Sequence, residues 1–182
     1  TEGSVVFDVG ANVGYYTLLC SKLVGPKGRV VAFEPVPEIA AFCRKHVAIN
    51  RAGNVLVYEC AAGDTAEYVA FETRCGTGLG RVSEEGNIRV PSCRLDDVAA
   101  DVGLRPSFIK IDVEGYGYEV LCGARDILRS ARPAIILSTH GPRETERSRK
   151  LLDEMGYMVS TCGPDLLFQH RSAQSGGGEE AA

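Results

Sequence analysis

The 182-residue chain has no run of lysines or arginines, and its formal net charge is −4. Neither a phosphate-tracking stripe nor an anionic-lipid patch is expected, which argues against a nucleic-acid surface. No apolar run approaches the roughly 20 residues needed to span a bilayer, and no signal-peptide pattern opens the chain, so no membrane partner is expected. Thr1 lies almost at the first apolar strand, which leaves room for a lost or removed N-terminal segment. Seven cysteines (20, 43, 60, 75, 93, 122 and 162) include no Cys-x-x-Cys pair. An odd, scattered set reads as small apolar residues in a reducing compartment, not as disulfides or zinc ligands, and a cytoplasmic location is expected. Cys20 and Cys43 fall on the apolar faces of expected helices. There is no internal repeat. What is present is 45% hydrophobic residues, enough for one globular domain over residues 1–171. A Ser/Gly/Glu-rich stretch, 172–182, is expected to be disordered.

Strand and helix signals alternate, with turn residues between them. Strands are expected at 4–9, 29–34, 55–60, 107–112 and 134–138, and helices at 15–24, 37–50, 95–102, 118–130 and 144–155. Pro37 suits a helix start, and Ile39, Phe42, Cys43 and Val47 form an apolar stripe behind it. Residues 67–72 and 87–94 read as two β segments around a glycine-rich connection, Cys75 to Gly86, forming an antiparallel excursion or flap. Two short β segments, 157–161 and 166–170, close the pattern. The fold class is α/β, a doubly wound open sheet. Ligands in such sheets bind beyond the carboxyl ends of the strands. Five of those ends carry polar or glycine signals: Gly10 to Gly14, Glu34-Pro35, Ala61 to Asp64, Asp112 to Gly115, and Thr139-His140.

The first turn is Asp8-Val9-Gly10-Ala11-Asn12-Val13-Gly14, and Glu34 lies twenty positions beyond its second glycine. Glycines let backbone approach a ligand, the helix N-terminus favours its anionic end, and the acid accepts bonds from ribose hydroxyls. The pattern points to an adenosine-containing cofactor. Asp8 is expected to orient the loop and the cofactor's ammonium, directly or through water. Asn12 suits a cap on the following helix. A nicotinamide-dependent oxidoreductase shares this logic, but the loop lacks the middle glycine of Gly-x-Gly-x-x-Gly.

The runs Phe7-Asp8-Val9-Gly10-Ala11-Asn12-Val13-Gly14-Tyr15-Tyr16-Thr17, Ala32-Phe33-Glu34-Pro35, Ala61-Ala62-Gly63-Asp64 and Ile109-Lys110-Ile111-Asp112-Val113-Glu114-Gly115 carry a resemblance, with Glu119-Val120-Leu121 and residues 152–157. From Val5 to about Phe168 the chain resembles the FkbM family of S-adenosylmethionine-dependent methyltransferases. The resemblance implies the class I (Rossmann-like) fold, a mostly parallel seven-stranded sheet with an antiparallel last strand. It also implies O-methylation of a small-molecule hydroxyl on a sugar or natural product. Asp8, Gly10, Ala11, Asn12, Gly14, Tyr16 and Thr17 would then hold the methionine part of S-adenosylmethionine. Glu34 would hold the ribose, Ala62 with Asp64 the adenine edge, and Asp112 would face cofactor or acceptor. Tyr15 and Tyr16 are expected to line the pocket, although Tyr15 also matches the core stripe of its helix.

An alcohol acceptor needs its proton removed, and a base contributes about 10²–10⁴-fold. His140, just past strand five, is the sharpest candidate, because imidazole titrates in the neutral range. Asp112 and Glu114 are the others. Glu114 equally suits the N-terminus of the following helix. His46, His170 and the Arg143, Arg147, Lys150 face read as structural or solvated. Metal dependence is not expected, since Asp112 and Glu114 alone do not define a magnesium site. Strand four lacks the Asn/Asp-Pro-Pro-Tyr/Phe tetrapeptide of nucleic-acid amino-methylating enzymes. Two departures stand out. Gly117 and Ser138 occupy positions where the family often carries acids, removing negative charge near the acceptor. A methyltransferase-like binding module without turnover is therefore carried alongside the enzyme reading.

Overall fold

The structure, a computed structural model, describes residues 1–73 and 80–173. The expected tail, 172–182, falls almost wholly outside them, as does the 74–79 part of the glycine-rich connection.

Seven strands form the main sheet, in the order β10-β11-β9-β8-β1-β2-β3. β1 (Val5–Val9) runs parallel to β2 (Arg29–Phe33) and β8 (Phe108–Asp112). β3 (Val55–Tyr58) and β9 (Ala134–Ser138) extend the parallel set on either side. β11 (Asp165–His170) is antiparallel to both β9 and β10 (Tyr157–Cys162). This is the expected doubly wound α/β sheet with its last strand reversed. The central strands are branched and apolar, as strands covered on both faces must be.

The two faces are packed unequally. On one, α3 (Leu95–Val102), α4 (Gly117–Cys122), α5 (Arg125–Ser130) and α6 (Pro142–Glu154) bury Ile109, Ile111, Ile135, Leu137 and Phe168 in a single large cluster. Each such side chain contributes about 1.5–3 kcal/mol by leaving water. On the other, α1 (Tyr15–Val24) sets Val24 and Cys20 over Val6, Val30 and Phe108. Ile136 and Leu167 remain only half-buried there. α2 (Pro37–Ile49) starts at Pro37 as expected.

Between β3 and α3 the chain makes the expected excursion, a second sheet of order β4-β7-β5-β6. β5 (Tyr68–Glu72) pairs antiparallel with β6 (Arg81–Val82) and β7 (Ile88–Cys93), while the two-residue β4 (Ala61–Ala62) runs parallel to the end of β7.

Several expectations fail for tertiary reasons. The helix expected at 118–130 is two, α4 and α5. The Asp96 carboxylate accepts from Asp126 N and Ile127 N (3.1 and 2.9 Å), while Asp96 N donates to Gly123 O (3.0 Å), so a residue on α3 caps the second helix. α6 begins two residues early, with Pro142 in its first turn. Tyr15 is 72% exposed instead of joining a core stripe. The inward face of α1 is instead Thr17, Ser21 and Val24, because Thr17 serves Asp8 and Ser21 donates to Asn54 Oδ1 at 2.6 Å. Phe42 leaves its expected stripe and is exposed, while Cys43 is buried.

Candidate functional site

The carboxyl ends of β1, β2, β3 and β8 surround a cavity of about 270 Å³. It is lined by Gly10, Asn12, Glu34, Ala62, Asp112 and Glu114, among others. The glycine loop is pinned to the end of β2: Gly10 N and Ala11 N both donate to Phe33 O, at 3.1 and 3.0 Å. Gly10 has φ +79°, and a Cβ there would lie 2.0 Å from Asp112 O, so only glycine lets β1 and β8 close together. Glu34 is 6% exposed; its Oε2 accepts from Asn12 N (2.9 Å) and Oε1 from Val36 N (3.0 Å). Burial pushes its carboxyl above the usual range, and the two backbone N–H groups oppose that shift. Each oxygen keeps a second lone pair.

Under the loop lies a charge network that the sequence reading did not anticipate. Asp8 is fully buried; its Oδ2 accepts from Thr17 Oγ1 at 2.6 Å, and its Oδ1 lies 3.3 Å from Lys110 Nζ. That ion pair has no hydrogen-bonding angle, so Oδ1 keeps an unfilled acceptor. Lys110 Nζ also donates to Gly10 O (3.3 Å), lies 3.8 Å from Asp112 Oδ2, and sits 5.0 Å from the Tyr16 ring centroid. Asp8 and Thr17 thus brace the loop from beneath and do not line the cavity. Tyr16 stands half exposed on α1 as a lid over the lysine. Asn12 adopts φ +51° and binds Val13 N through Oδ1 (2.7 Å). It does not cap α1, whose N-cap is Gly14 without a side-chain bond. Asp64 is exposed and absent from the cavity wall, where Tyr116 stands instead.

The other half of the site is built by β8, β9, β11 and α6. His140 Nδ1 lies 3.0 Å from Glu114 Oε2, and Nε2 lies 3.5 Å from Asp112 Oδ1. The three candidate catalytic residues therefore meet at the cavity edge that Asp112 and Glu114 line. The charge thought lost at Gly117 and Ser138 is supplied from elsewhere. Gly117 N donates to Glu144 Oε1 (2.8 Å), and Glu144 Oε2 accepts from His140 N (2.7 Å). A Cβ at position 117 would lie 2.6 Å from Glu144 Oε1, so glycine there makes room for an acid arriving from α6. Ser138 Oγ likewise donates to Asp165 Oδ1 at 2.7 Å, across the β9–β11 seam.

Among residues not singled out, Lys110 had one visible signal, a charge midway along an otherwise apolar strand. Glu144 had another, an acid in the first turn after Gly-Pro. Tyr116 and Asp165 had none. Arg147, read as solvated, stacks 3.7 Å over the Tyr118 ring and pairs with Glu119 at 3.1 Å. His46 Nδ1 bonds Val13 O (2.7 Å) and His170 packs edge-on against Tyr157, both structural. Among the described residues, no group of three or more His, Cys, Asp and Glu is arranged to hold a metal ion, and no helix is long and apolar enough to cross a membrane.

Residues 8–159 match the model of the methyltransferase FkbM domain. The chain is 31% identical over 157 residues to the hexuronic acid methyltransferase AglP of Haloferax volcanii, covering 84% of this chain and 63% of that protein. It is 27% identical over 150 residues to the 2-O-methyltransferase NoeI of Sinorhizobium fredii, covering 70% of this chain and 60% of NoeI. The solved structure of methyltransferase FkbM from Methylobacillus flagellatus KT superposes with a TM-score of 0.68 at 20% identity, over 93% of this chain and 44% of that one. The chain thus spans about three fifths of these two relatives' length and under half of that solved chain.

Proposed function

The chain belongs to the methyltransferase FkbM family, and on that premise we propose that it transfers a methyl group from S-adenosylmethionine to a hydroxyl of a sugar or similar small molecule. The observation that carries this reading is the imidazole of His140 set between Glu114 and Asp112, two residues that line the cavity. The sugar acceptor is suggested by the two relatives named for a hexuronic acid and a 2-O position.

The residues present fit the cofactor. Glu34 offers its remaining lone pairs to the two ribose hydroxyls. The glycine loop, free of Cβ at Gly10, admits the methionine part, and the buried Asp8 steadies that loop from beneath through Thr17 and Lys110. Ala61, Ala62 and Tyr116 form an apolar wall for adenine. When bound, S-adenosylmethionine supplies an electrophilic methyl on a positively charged sulfur, a charge that vanishes as transfer proceeds.

The chain's own residues then align and deprotonate the acceptor. Glu114 takes the Nδ1–H of His140 and fixes the tautomer, leaving the Nε2 lone pair to receive the hydroxyl proton. Asp112, on the Nε2 side, accepts from a neighbouring hydroxyl of the acceptor and so aims the reacting oxygen at Nε2. Glu144 holds the loops after β8 and β9 at a set spacing, so that alignment costs little at the moment of reaction. The test is calorimetry with S-adenosylhomocysteine, then product mass spectrometry with hexuronic-acid and neutral-sugar acceptors. Cofactor binding with a methylated sugar supports the proposal. Binding without product from any acceptor pool leaves a binding module instead.

A further inference from the structure

The second sheet brings together two cysteines 33 positions apart. β4 pairs Ala61 with Ser92 and Ala62 with Cys93, and Cys60 directly precedes it. Cys60 Sγ lies 2.8 Å from Cys93 Sγ, and both thiols are free. A disulfide needs about 2.05 Å between sulfurs, so less than 1 Å of approach separates the pair from a bond. Cys60 also lines the cavity that Glu34, Ala62 and Asp112 border, so a small molecule in that cavity reaches it. The segment between the two cysteines holds Phe71, Arg81 and Val82, which also line the same cavity.

We propose that Cys60 and Cys93 form a dithiol modification site, which a low-molecular-weight disulfide such as oxidised glutathione converts into an internal disulfide on the cavity wall. One cysteine, as thiolate, attacks a sulfur of the small disulfide, forming a mixed disulfide and releasing one small thiolate. The neighbouring cysteine loses its proton, attacks the protein sulfur of that mixed disulfide, and releases the second small thiol. Two protein S–H bonds are lost and one S–S bond forms. The small disulfide gains both electrons and both protons as two thiols. The new bond ties the end of β3 to β7 and fixes the excursion sheet against the cofactor cavity. The hydrogen bond from Cys60 and then burial raise the Cys93 thiol above its ordinary range, so thiolate is scarce. The exchange therefore runs slowly, on the order of minutes to hours.

The test uses the chain with Cys75→Ser, a residue outside the described ones, incubated with millimolar oxidised glutathione, then alkylated and mapped by mass spectrometry. Exposed Cys162 reports that the oxidant reacts. The expected result is a Cys60–Cys93 linked peptide, about 2 Da lighter and reversed by dithiothreitol, with a thermal midpoint raised by about 10 °C. Cys93→Ser should abolish both the link and the oxidant-dependent rise. Recovery of Cys60 and Cys93 as free thiols after an incubation carried well beyond those hours, with Cys162 fully reacted, overturns the proposal. So does a mixed disulfide on either residue that never resolves to the internal bond.

Discussion

The two halves of the site solve the same problem, fixing loops at the strand ends with carboxylates, by different means. On the half built by β1 and β2, Glu34 is held by backbone N–H groups of Asn12 and Val36, and the glycine loop by Phe33 O. All of these lie within one β-α-β passage of chain. On the half built by β8 and β9, Glu144 reaches across from α6 to Gly117, and Asp165 reaches from β11 to Ser138. The first half is local, and the second exists only once β9, β11 and α6 have docked. Lys110 joins them, with Asp8 on one side and Asp112 on the other.

The sharpest way to break this division is His140→Ala. Turnover should fall about 10³-fold, with S-adenosylhomocysteine affinity in calorimetry nearly unchanged. A parallel loss of affinity would mean that the two halves are not separable. Next in size is Lys110→Met, which strands the buried Asp8 charge and should cost about 3 kcal/mol in urea unfolding. Adding Asp8→Asn should return part of that loss, and a strictly additive double mutant would dissolve the network. Glu34→Ala, which removes two charge-assisted acceptors, should weaken S-adenosylhomocysteine about 100-fold and, by leaving Asn12 N and Val36 N without their acceptor, lower unfolding stability by about 1–3 kcal/mol. Because burial raises the Glu34 carboxyl, affinity should decline as pH falls into the carboxylate range, and Glu34→Gln should flatten that decline. The smallest effect is Gly117→Ala, whose Cβ would press on Glu144 Oε1 and cost about 1–2 kcal/mol. In a Glu144→Ala background that cost should shrink, and a cost that persists would place the strain elsewhere, against Leu137.

The gap between reading and structure follows the same division. β1, α1, β2 and the start of α2 were legible nearly to the residue, because periodicity, glycine and proline act within a few positions. The outward turn of Tyr15 was not, since Asp8 and Asn54 draw Thr17 and Ser21 inward against the usual apolar stripe. The break between α4 and α5 was hidden because its cap, Asp96, lies on another helix. Gly117 and Ser138 show the same limit: a chain position shows which side chain is missing, not that Glu144 and Asp165 arrive beside it from elsewhere.

By itself, then, the sequence determined the doubly wound sheet, the glycine loop after β1 and the acid after β2 that faces it, since all three rest on short-range spacing. Tertiary structure alone decided how Lys110 shares its charge, where Glu144 and Asp165 stand, and that Cys60 meets Cys93. Those depend on which strands become neighbours, a choice made by burying the whole apolar face at once.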